Sequence, residues 1–599
     1  MVAVLASQRV SLLRYFLSKV QRIIAMNINI EVNNRQIQAR KGETILSALN
    51  RNGIKVPTLC NMKDLSPTGA CRLCVVEVEG RENLVTSCSQ LVEDSMKIKT
   101  HSLRVVRARK TLVELLLANH PDDCLYCERN ENCELQSLAA ELHIRERKVQ
   151  RRNISQKLDL SSPSIVRDPA KCILCGRCVR ICDEVQSVST FEFVKRGCNM
   201  YIGSTMSRDL NFSSCIACGQ CVLVCPTSAL SERSNIDEVI DSLNNPNIIS
   251  IVQFAPSISV SLAEEFGMKT GKDLNGVLTA AFKKMGFEYV FDTSVAADIA
   301  VVELATELLH RKDQNENLPI ISACCPAWVK FVEQFYPDHL NLLSTSKSPQ
   351  QIMGALIKSY FAPQRNISPS NVYSVSVMPC LAKKIEAQRE EMTSKGVSDV
   401  DAVISTRELA RLIKLHGIDI HNIDSQVADA PFNVRSSAGK LFGVAGGTAE
   451  ALMRTLHTAI TGEELQNIKV VDLRSNANFR EVKFSAGDKE FIFIVISGLK
   501  DIRKFMDELI AGYIKADYIE VMACQGGCVN GGGQPFVSED KDVRLRAKSI
   551  YEIDEIDIVR CSHKNQQVKE LYDKYLGEPG GALAQRLLHT TYAKRDVLL

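Results

Sequence analysis

The sequence predicts a multidomain chain, α+β up to about residue 235 and α/β beyond it, built around bound metal. Three observations carry this expectation. The first is length: 599 residues suggest roughly four domains. The second is that most of the 22 cysteines fall in short, regularly spaced groups. The third is a change of texture. From about residue 236, strand-like runs (IISIVQFAPS, YVFDTS, VYSVSVMPC, FIFIVISG, YIEVMACQ) alternate with helical stretches such as TELLHRK and PAWVKFVEQF. Hydrophobic residues at 45% and charged residues at 24% exclude disorder, collagen and coiled coil as the main architecture. A net charge of +3, from 73 basic and 70 acidic residues, gives no global pull toward nucleic acid or an anionic membrane. A chain this long buries a core without staples. Repeated C-x2-C runs cannot all reach disulfide geometry, yet they converge readily on metal. A reduced, intracellular, metal-rich protein is expected.

Residues 1–25 read as a targeting leader. They carry Arg9, Arg14, Lys19 and Arg22, and the first acidic residue of the chain is Glu31. Leu12, Leu13, Tyr15, Phe16, Leu17 and Val20 can share one helical face, which fits an organellar transit peptide. The alternative is a start at Met26, which opens the strand-like MNINIEV. No run of about 18 uninterrupted apolar residues follows, so no transmembrane helix is expected.

Residues 26–102 hold Cys60, Cys71, Cys74 and Cys88 among strand-like runs (INIEV, VVEVEG). Hairpins there bring the C-x2-C pair and two distant thiolates together. The spacing resembles the β-grasp [2Fe–2S] domain of the large iron–sulfur subunit of respiratory complex I and of long hydrogenases; it is wider than that of soluble plant ferredoxins. A zinc site is the bland alternative. In residues 103–160 a helix-like stretch, RVVRARKTLVELLLANH, delivers His120 to Cys124, Cys127 and Cys133. Three thiolates and an imidazole would suit zinc in isolation. After a complex I-like domain, the small helical unit resembles a His/Cys-ligated [4Fe–4S] site. Residues 161–235 contain CILCGRCVRIC and CIACGQCVLVCP, an internal repeat of C-x2-C-x2-C-x3-C. This is the bacterial two-cluster ferredoxin pattern, in which the fourth cysteine of each run ligates the other cluster. One [4Fe–4S] cubane then takes Cys172, Cys175, Cys178 and Cys225, and the other Cys215, Cys218, Cys221 and Cys182. These four sites alone make an electron conduit, which needs a terminus.

Residues 236–599 supply three long motifs: ISACCPAW (321–328), VMPCLAKKIEAQ (377–388) and IEVMACQGGCVNGGGQP (519–535). They resemble the signature motifs of [FeFe]-hydrogenases. So do APS at 255–257, FDTSVAAD at 291–298, SKSPQQ at 346–351, AVISTREL at 402–409, FGVAGG at 442–447 and the tail with SHKNQQVKELYDKYLGEPG and LLHTTY. The resemblance covers roughly residues 26–599, in the accessory-domain order of the long clostridial-type enzymes. It implies a large α/β H-cluster domain. Cys325, Cys380, Cys524 and Cys528 would hold a [4Fe–4S] cubane, and Cys528 would also bridge to a two-iron subcluster carrying CO, cyanide and a bridging dithiolate amine. Soft thiolates suit this chemistry. Gly526–Gly527 and Gly531–Gly533 are expected to allow close backbone approach to a bulky inorganic ligand. Read alone, the Cys524–Cys528 segment is a tight turn or a redox pair.

The resemblance implies further roles. Lys383 pairs with a cyanide, and Ser257 could donate to the other. Ala255, Pro256, Gln350, Met378, Phe442 and Met522 line the cavity, although Met378, Phe442 and Met522 would otherwise read as ordinary core. Cys324, the motif cysteine that is not a ligand, relays protons to the dithiolate amine, a role a tuned thiol can fill. The family route continues through a glutamate, a serine, a second glutamate and an arginine; Ser344, Glu307 and Arg311 match the last three. The first glutamate's position is Leu304, which carries no proton. Glu303 is adjacent, but one helical residue turns a side chain by about 100°. Ala323 also stands where the family usually has serine.

The expected function is therefore an iron hydrogenase interconverting H₂ with protons and electrons, using one [2Fe–2S] cluster, three accessory [4Fe–4S] clusters and the H-cluster. Expected partners are ferredoxin as electron donor or acceptor, H₂ and protons, H-cluster maturation proteins and possible NADH dehydrogenase-like subunits, with no nucleic acid. A catalytically impaired sensory or regulatory relative is the alternative that Leu304 raises. An electron-transfer subunit like that of complex I would explain residues 26–160 but leave the three late motifs without purpose. The leader points to a hydrogenosome or mitochondrion-like organelle; a start at Met26 would allow the cytoplasm.

Overall fold

A computed structural model describes residues 27–146, 148–149, 157–394, 396–465, 471–475, 477–536 and 540–595. The leader lies outside the described residues. Among the described residues no helix is long and apolar enough to cross a membrane.

The first unit is a five-stranded mixed sheet. Asn27–Val32 pairs antiparallel with Arg35–Arg40 and parallel with Lys97–Lys99, Val75–Val78 follows antiparallel to Lys97–Lys99, and Val85–Thr86 forms the far edge. The helix Ile45–Arg51 packs Ile45, Leu46, Ala48 and Leu49 against Ile30, Val32 and Val76. Thr44 caps it, its hydroxyl accepting from Ser47 N–H, as an N-cap residue should. The expected helix after it spans Leu103–Ala118. Its buried Arg109 donates to the carbonyls of Leu73 (3.0 Å) and Val75 (2.8 Å), tying the helix to the first ligand loop.

The two-cluster unit has little regular structure: two short antiparallel strand pairs, Ile165–Arg167 with Leu230–Glu232 and Phe191–Val194 with Tyr201–Ser204. Its repeat is visible in the backbone. Leu174 and Ala217 both take positive φ (56° and 54°), as do Gly176 and Gly219 (70° and 75°), each pair at equivalent places in the two runs. Arg177 fastens this unit to the preceding one by a bidentate pair with Glu134 (2.5 and 2.9 Å). Arg180 donates to the carbonyls of Cys60 and Ser66 in the first unit.

The large domain contains two four-stranded sheets. One is fully parallel, ordered Tyr289–Asp292, Ile249–Phe254, Val372–Met378, Ala402–Ser405. The other orders Ile320–Ile321, Tyr518–Met522, Lys489–Ser497 and Phe479–Ala486, antiparallel only at its last pair. The strand-like runs noted in the sequence are strands of these two sheets, four of them interior and one, YVFDTS, the edge strand Tyr289–Asp292; interior strands are largely apolar because both faces are buried. Helix Ser294–Gln314 runs along the core, contributing Val295, Ile299 and Leu308 among others. The carboxyl ends of strands from both sheets supply the late cysteine motifs, the usual place for a ligand in open α/β sheets.

Candidate active site

Cys324 and Cys325 follow Ile320–Ile321, Cys380 follows Val372–Met378, and Cys524 and Cys528 follow Tyr518–Met522. The site therefore draws cysteines from the ends of both sheets. All five line one cavity of about 80 Å³, together with Ala255, Pro256, Ser257, Gln350, Met378, Lys383, Phe442 and Met522. Every residue expected in the cavity from the sequence is in its wall. Met378 and Phe442 also belong to packed core clusters, so the two readings of these side chains are compatible.

The donor set fits a metal cluster. Burial pushes the Cys380 thiol up to about 12, with Cys325 adding to the rise. Cys524 and Cys528 are raised well above the usual thiol range by burial and by neighbouring thiols. Such crowded thiols become thiolates only when a cation is bound among them. Ser257 Oγ is buried with no hydrogen-bond partner, so the wall presents a spare donor, an exception that calls for an occupant. Lys383 Nζ donates to Glu386 Oε2 (2.8 Å) and to the Cys324 carbonyl (3.2 Å). Burial alone would lower its pKa, but the Glu386 carboxylate outweighs this and holds the ammonium charged. Gln350 is held by Glu386 (3.1 Å) and by Ser376 Oγ, which donates to its Oε1 (3.1 Å). Glu386 is the functional residue that the sequence reading passed over, although it stands in a quoted motif, three residues after Lys383. That spacing is what puts two side chains on one helical face.

The glycines divide by role. Gly526 and Gly527 have φ of 83° and 100°, so the Cys524–Cys528 turn needs them for its backbone. A Cβ on Gly527 would also sit 2.5 Å from Ala445 N. Gly532 and Gly533 also lie against other parts of the protein: a Cβ on Gly533 would sit 2.8 Å from Ser405 Cβ. A Cβ on Gly532 would lie 2.3 Å from the Cys218 carbonyl oxygen. Gly532 is thus where the large domain meets the two-cluster unit. Gln220, also not foreseen, crosses the same boundary: its Nε2 donates to Cys524 Sγ (3.2 Å) and to the Asn530 carbonyl (2.9 Å).

Upstream, two small cavities each carry four thiols in the swapped arrangement. One is lined by Cys172, Cys175, Cys178 and Cys225, the other by Cys182, Cys215, Cys218 and Cys221. Backbone N–H groups point at sulfur: Leu174 to Cys172 (3.4 Å), Ala217 to Cys215 (3.3 Å) and Thr190 to Cys182 (3.3 Å). In the first unit the thiols of Cys60, Cys71, Cys74 and Cys88 are joined through mutual hydrogen bonds. Cys124, Cys127 and Cys133 lie within electrostatic reach of one another. His120 is buried beside Asp123, and burial lowers its pKa, favouring the neutral imidazole that a metal ligand requires.

The expected proton route is present in part. Glu307 accepts from Ser344 Oγ (2.6 Å) and from Arg311 (2.5 Å), and Arg311 reaches the carbonyls of Asn317 and Asn341 near the surface. Among the described residues no hydrogen bond joins Ser344 to Cys324. Leu304 packs into an apolar cluster with Ala305, Leu308, Ile320 and Tyr518. Glu303 is turned toward the C-terminal segment, where it accepts from Tyr572 Oη, Gly580 N–H (2.9 Å) and His589 Nε2 (2.9 Å). Burial holds the Cys324 thiol up at about 12.

These sites define an iron–sulfur oxidoreductase with a chain of accessory centres leading to a buried cavity lined by five cysteines. The family model described as iron only hydrogenase large subunit, C-terminal domain, matches residues 248–532. Models for a 2Fe-2S iron-sulfur cluster binding domain (25–102), the NADH-ubiquinone oxidoreductase-G iron-sulfur binding region (109–148), a 4Fe-4S dicluster domain (171–229) and the iron hydrogenase small subunit (540–595) match the rest. The chain is 42% identical to the NADP-reducing hydrogenase subunit HndD of Solidesulfovibrio fructosivorans, over 95% of this chain and 100% of that one. It is 38% identical to iron hydrogenase 1 of Clostridium pasteurianum, over 94% and 100% respectively. The solved [FeFe]-hydrogenase HydA1 from Chlamydomonas reinhardtii aligns at 32% identity and a TM-score of 0.55, over 61% of this chain and 100% of that structure. The chain belongs to the [FeFe]-hydrogenase family. It is an iron hydrogenase of the long type, with accessory [2Fe–2S] and [4Fe–4S] domains ahead of its H-cluster domain.

Proposed function

We propose that this chain interconverts H₂ with protons and electrons. The observation that carries the reading is the single cavity at the meeting of two sheets, where four cysteines from three distant motifs, a fifth cysteine, a charged lysine and an unpartnered serine converge. Cys325, Cys380, Cys524 and Cys528 would hold the H-cluster, which supplies the iron chemistry of H₂. Ser257 and Lys383 would orient its diatomic ligands, with Glu386 keeping Lys383 charged. The apolar wall of Met378, Phe442 and Met522 excludes water. Cys324 would hold and pass the proton, and Ser344, Glu307 and Arg311 would form the outer part of the proton path.

Upstream we assign one [2Fe–2S] cluster to Cys60, Cys71, Cys74 and Cys88 and one [4Fe–4S] cluster to His120, Cys124, Cys127 and Cys133. The swapped cysteine quartets would hold two more [4Fe–4S] clusters. Cys124, with Leu125 (86% exposed) and Tyr126 (90%), lies on the surface and offers a redox partner an entry point. Ferredoxin is our first choice of partner. A second reading is that the chain works as one subunit of an assembly serving a nicotinamide nucleotide. The name of the Solidesulfovibrio relative, together with its full-length match, favours that reading. We place the enzyme in a hydrogenosome or mitochondrion-like organelle; fractionation with N-terminal sequencing tests this.

The test of activity is H₂ evolution from reduced methyl viologen after maturation by the specialised assembly proteins. H₂ production is expected. Absence of H₂ from protein showing CO and cyanide infrared bands would leave the impaired, regulatory reading. Comparing reduced ferredoxin with NADH or NADPH as donor separates the two partner readings.

A further inference from the structure

Cys198 and Cys561 are the two cysteines left over once the cluster ligands and the proton relay Cys324 are assigned. Cys198 is exposed. Cys561 is 2% exposed and stands in a small group with His563 and Glu464, whose ligand atoms all lie within 4.8 Å of one another. From the mixed donor set of this group we infer a zinc site, separate from every iron–sulfur centre, that fastens the C-terminal segment to the H-cluster domain.

The three donors are close enough to share one ion, their ligand atoms all lying within 4.8 Å of one another. Cys561 Sγ lies 3.7 Å from Glu464 Oε2, and His563 Nε2 lies 3.3 Å from Glu464 Oε1. These distances run to the two different oxygens of Glu464; an ion with ligand bonds of about 2.0–2.3 Å draws one of them toward both partners. The ring is also oriented from behind: His563 Nδ1 faces Thr455 Oγ1 at 3.3 Å, the outer-shell contact that fixes which nitrogen meets a metal. Glu464 also takes Lys564 Nζ, 3.1 Å from Oε1. Lys564 is half exposed, and a ligating carboxylate keeps lone pairs for such a partner. Glu464 is the most open of the three, so water completes the fourth position on its side.

The donors are held by rigid structure. Ser562 Oγ and Asn565 Nδ2, on either side of His563, donate to buried Asp298 (2.8 and 2.9 Å). Glu464 follows the helix Gly447–Thr461, past its left-handed cap at Gly462. The neighbouring Glu463 carbonyl is held by His457 Nδ1 at 2.9 Å. Glu464 belongs to the part of the chain matching the large-subunit model (248–532), while Cys561 and His563 belong to the part matching the small-subunit model (540–595). A metal here joins the two. One thiolate, one imidazole and one carboxylate suit zinc, which binds such ligands more tightly than ferrous iron does.

The test uses the full-length matured enzyme, dialysed against zinc chloride and then against buffer, with zinc and iron counted by mass spectrometry. One zinc per chain is expected. Zinc-edge X-ray absorption should show a single sulfur at about 2.3 Å and otherwise nitrogen and oxygen at about 2.0–2.2 Å. Cys561→Ser and His563→Ala should each lose the zinc while keeping the iron count, and Thr455→Ala should weaken zinc binding about tenfold, read by competition with a chromophoric chelator. Zinc well below one per chain, an all-sulfur shell from metal lodged in a cluster site, or full zinc retention in the Cys561 and His563 variants would each overturn the proposal.

Discussion

The proposed electron and proton routes lead toward the same cavity but are built differently. The electron route is continuous at its last step. Gln220 touches Cys524, and Gly532 lets the large domain's backbone meet Cys218. The proton route is well formed at its surface end, through Arg311, Glu307 and Ser344, and stops where Leu304 fills an apolar cluster. An electron crosses packed protein and asks only that its carriers lie close. A proton needs a donor and an acceptor at every step, within hydrogen-bond reach. One leucine can therefore interrupt the second route while leaving the first intact.

Four substitutions would break or sharpen this contrast. Cys324→Ser removes the inner relay and should cut turnover by about 10²–10⁴-fold, with iron content and infrared bands retained; measurable activity near the parent rate would remove Cys324 from the route. Gly532→Val forces a side chain against the Cys218 carbonyl. Reduction of the H-cluster through the accessory centres, followed by rapid-mixing infrared spectroscopy, should slow about tenfold as the contact opens. Leu304→Glu restores a carboxyl at the gap and should raise turnover several-fold, while its burial lowers stability by about 1–3 kcal/mol. If turnover stays flat in a folded variant, protons already pass another way. Glu303→Gln should change turnover least, because Glu303 faces His589 and Tyr572. Its effect belongs in thermal unfolding, at about 1–3 kcal/mol; a collapse of H₂ evolution instead would make Glu303 the missing relay.

The contrast also explains what could be read in advance. Cluster ligands come in short runs because a cubane face is wrapped by nearby residues, so the swapped assignment of Cys182 and Cys225 followed from spacing and reappears in the two cavities. Two of the three strands carrying the late motifs, Val372–Met378 and Tyr518–Met522, were legible as largely apolar runs because interior parallel strands are buried on both faces; the third, Ile320–Ile321, is too short to stand out. Glu386 was within reach of the same logic, one helical turn from Lys383. Gln220 was not: its partner Cys524 is 304 positions away, and nothing local marks it. Nor was the role of Gly532, which only the neighbouring unit's backbone explains.

The sequence by itself determined the kinds of chemistry: thiols in cluster spacing, an α/β domain to end the wire, and a leucine where a proton carrier is expected. These are local patterns, and local geometry enforces them. The tertiary structure decided what meets what. It set the direction of Glu303, the pairing of Lys383 with Glu386, the joint between wire and cavity, and the meeting of Glu464 with Cys561 and His563. Each of these depends on packing between elements far apart in the chain, where neither periodicity nor motif spacing carries information.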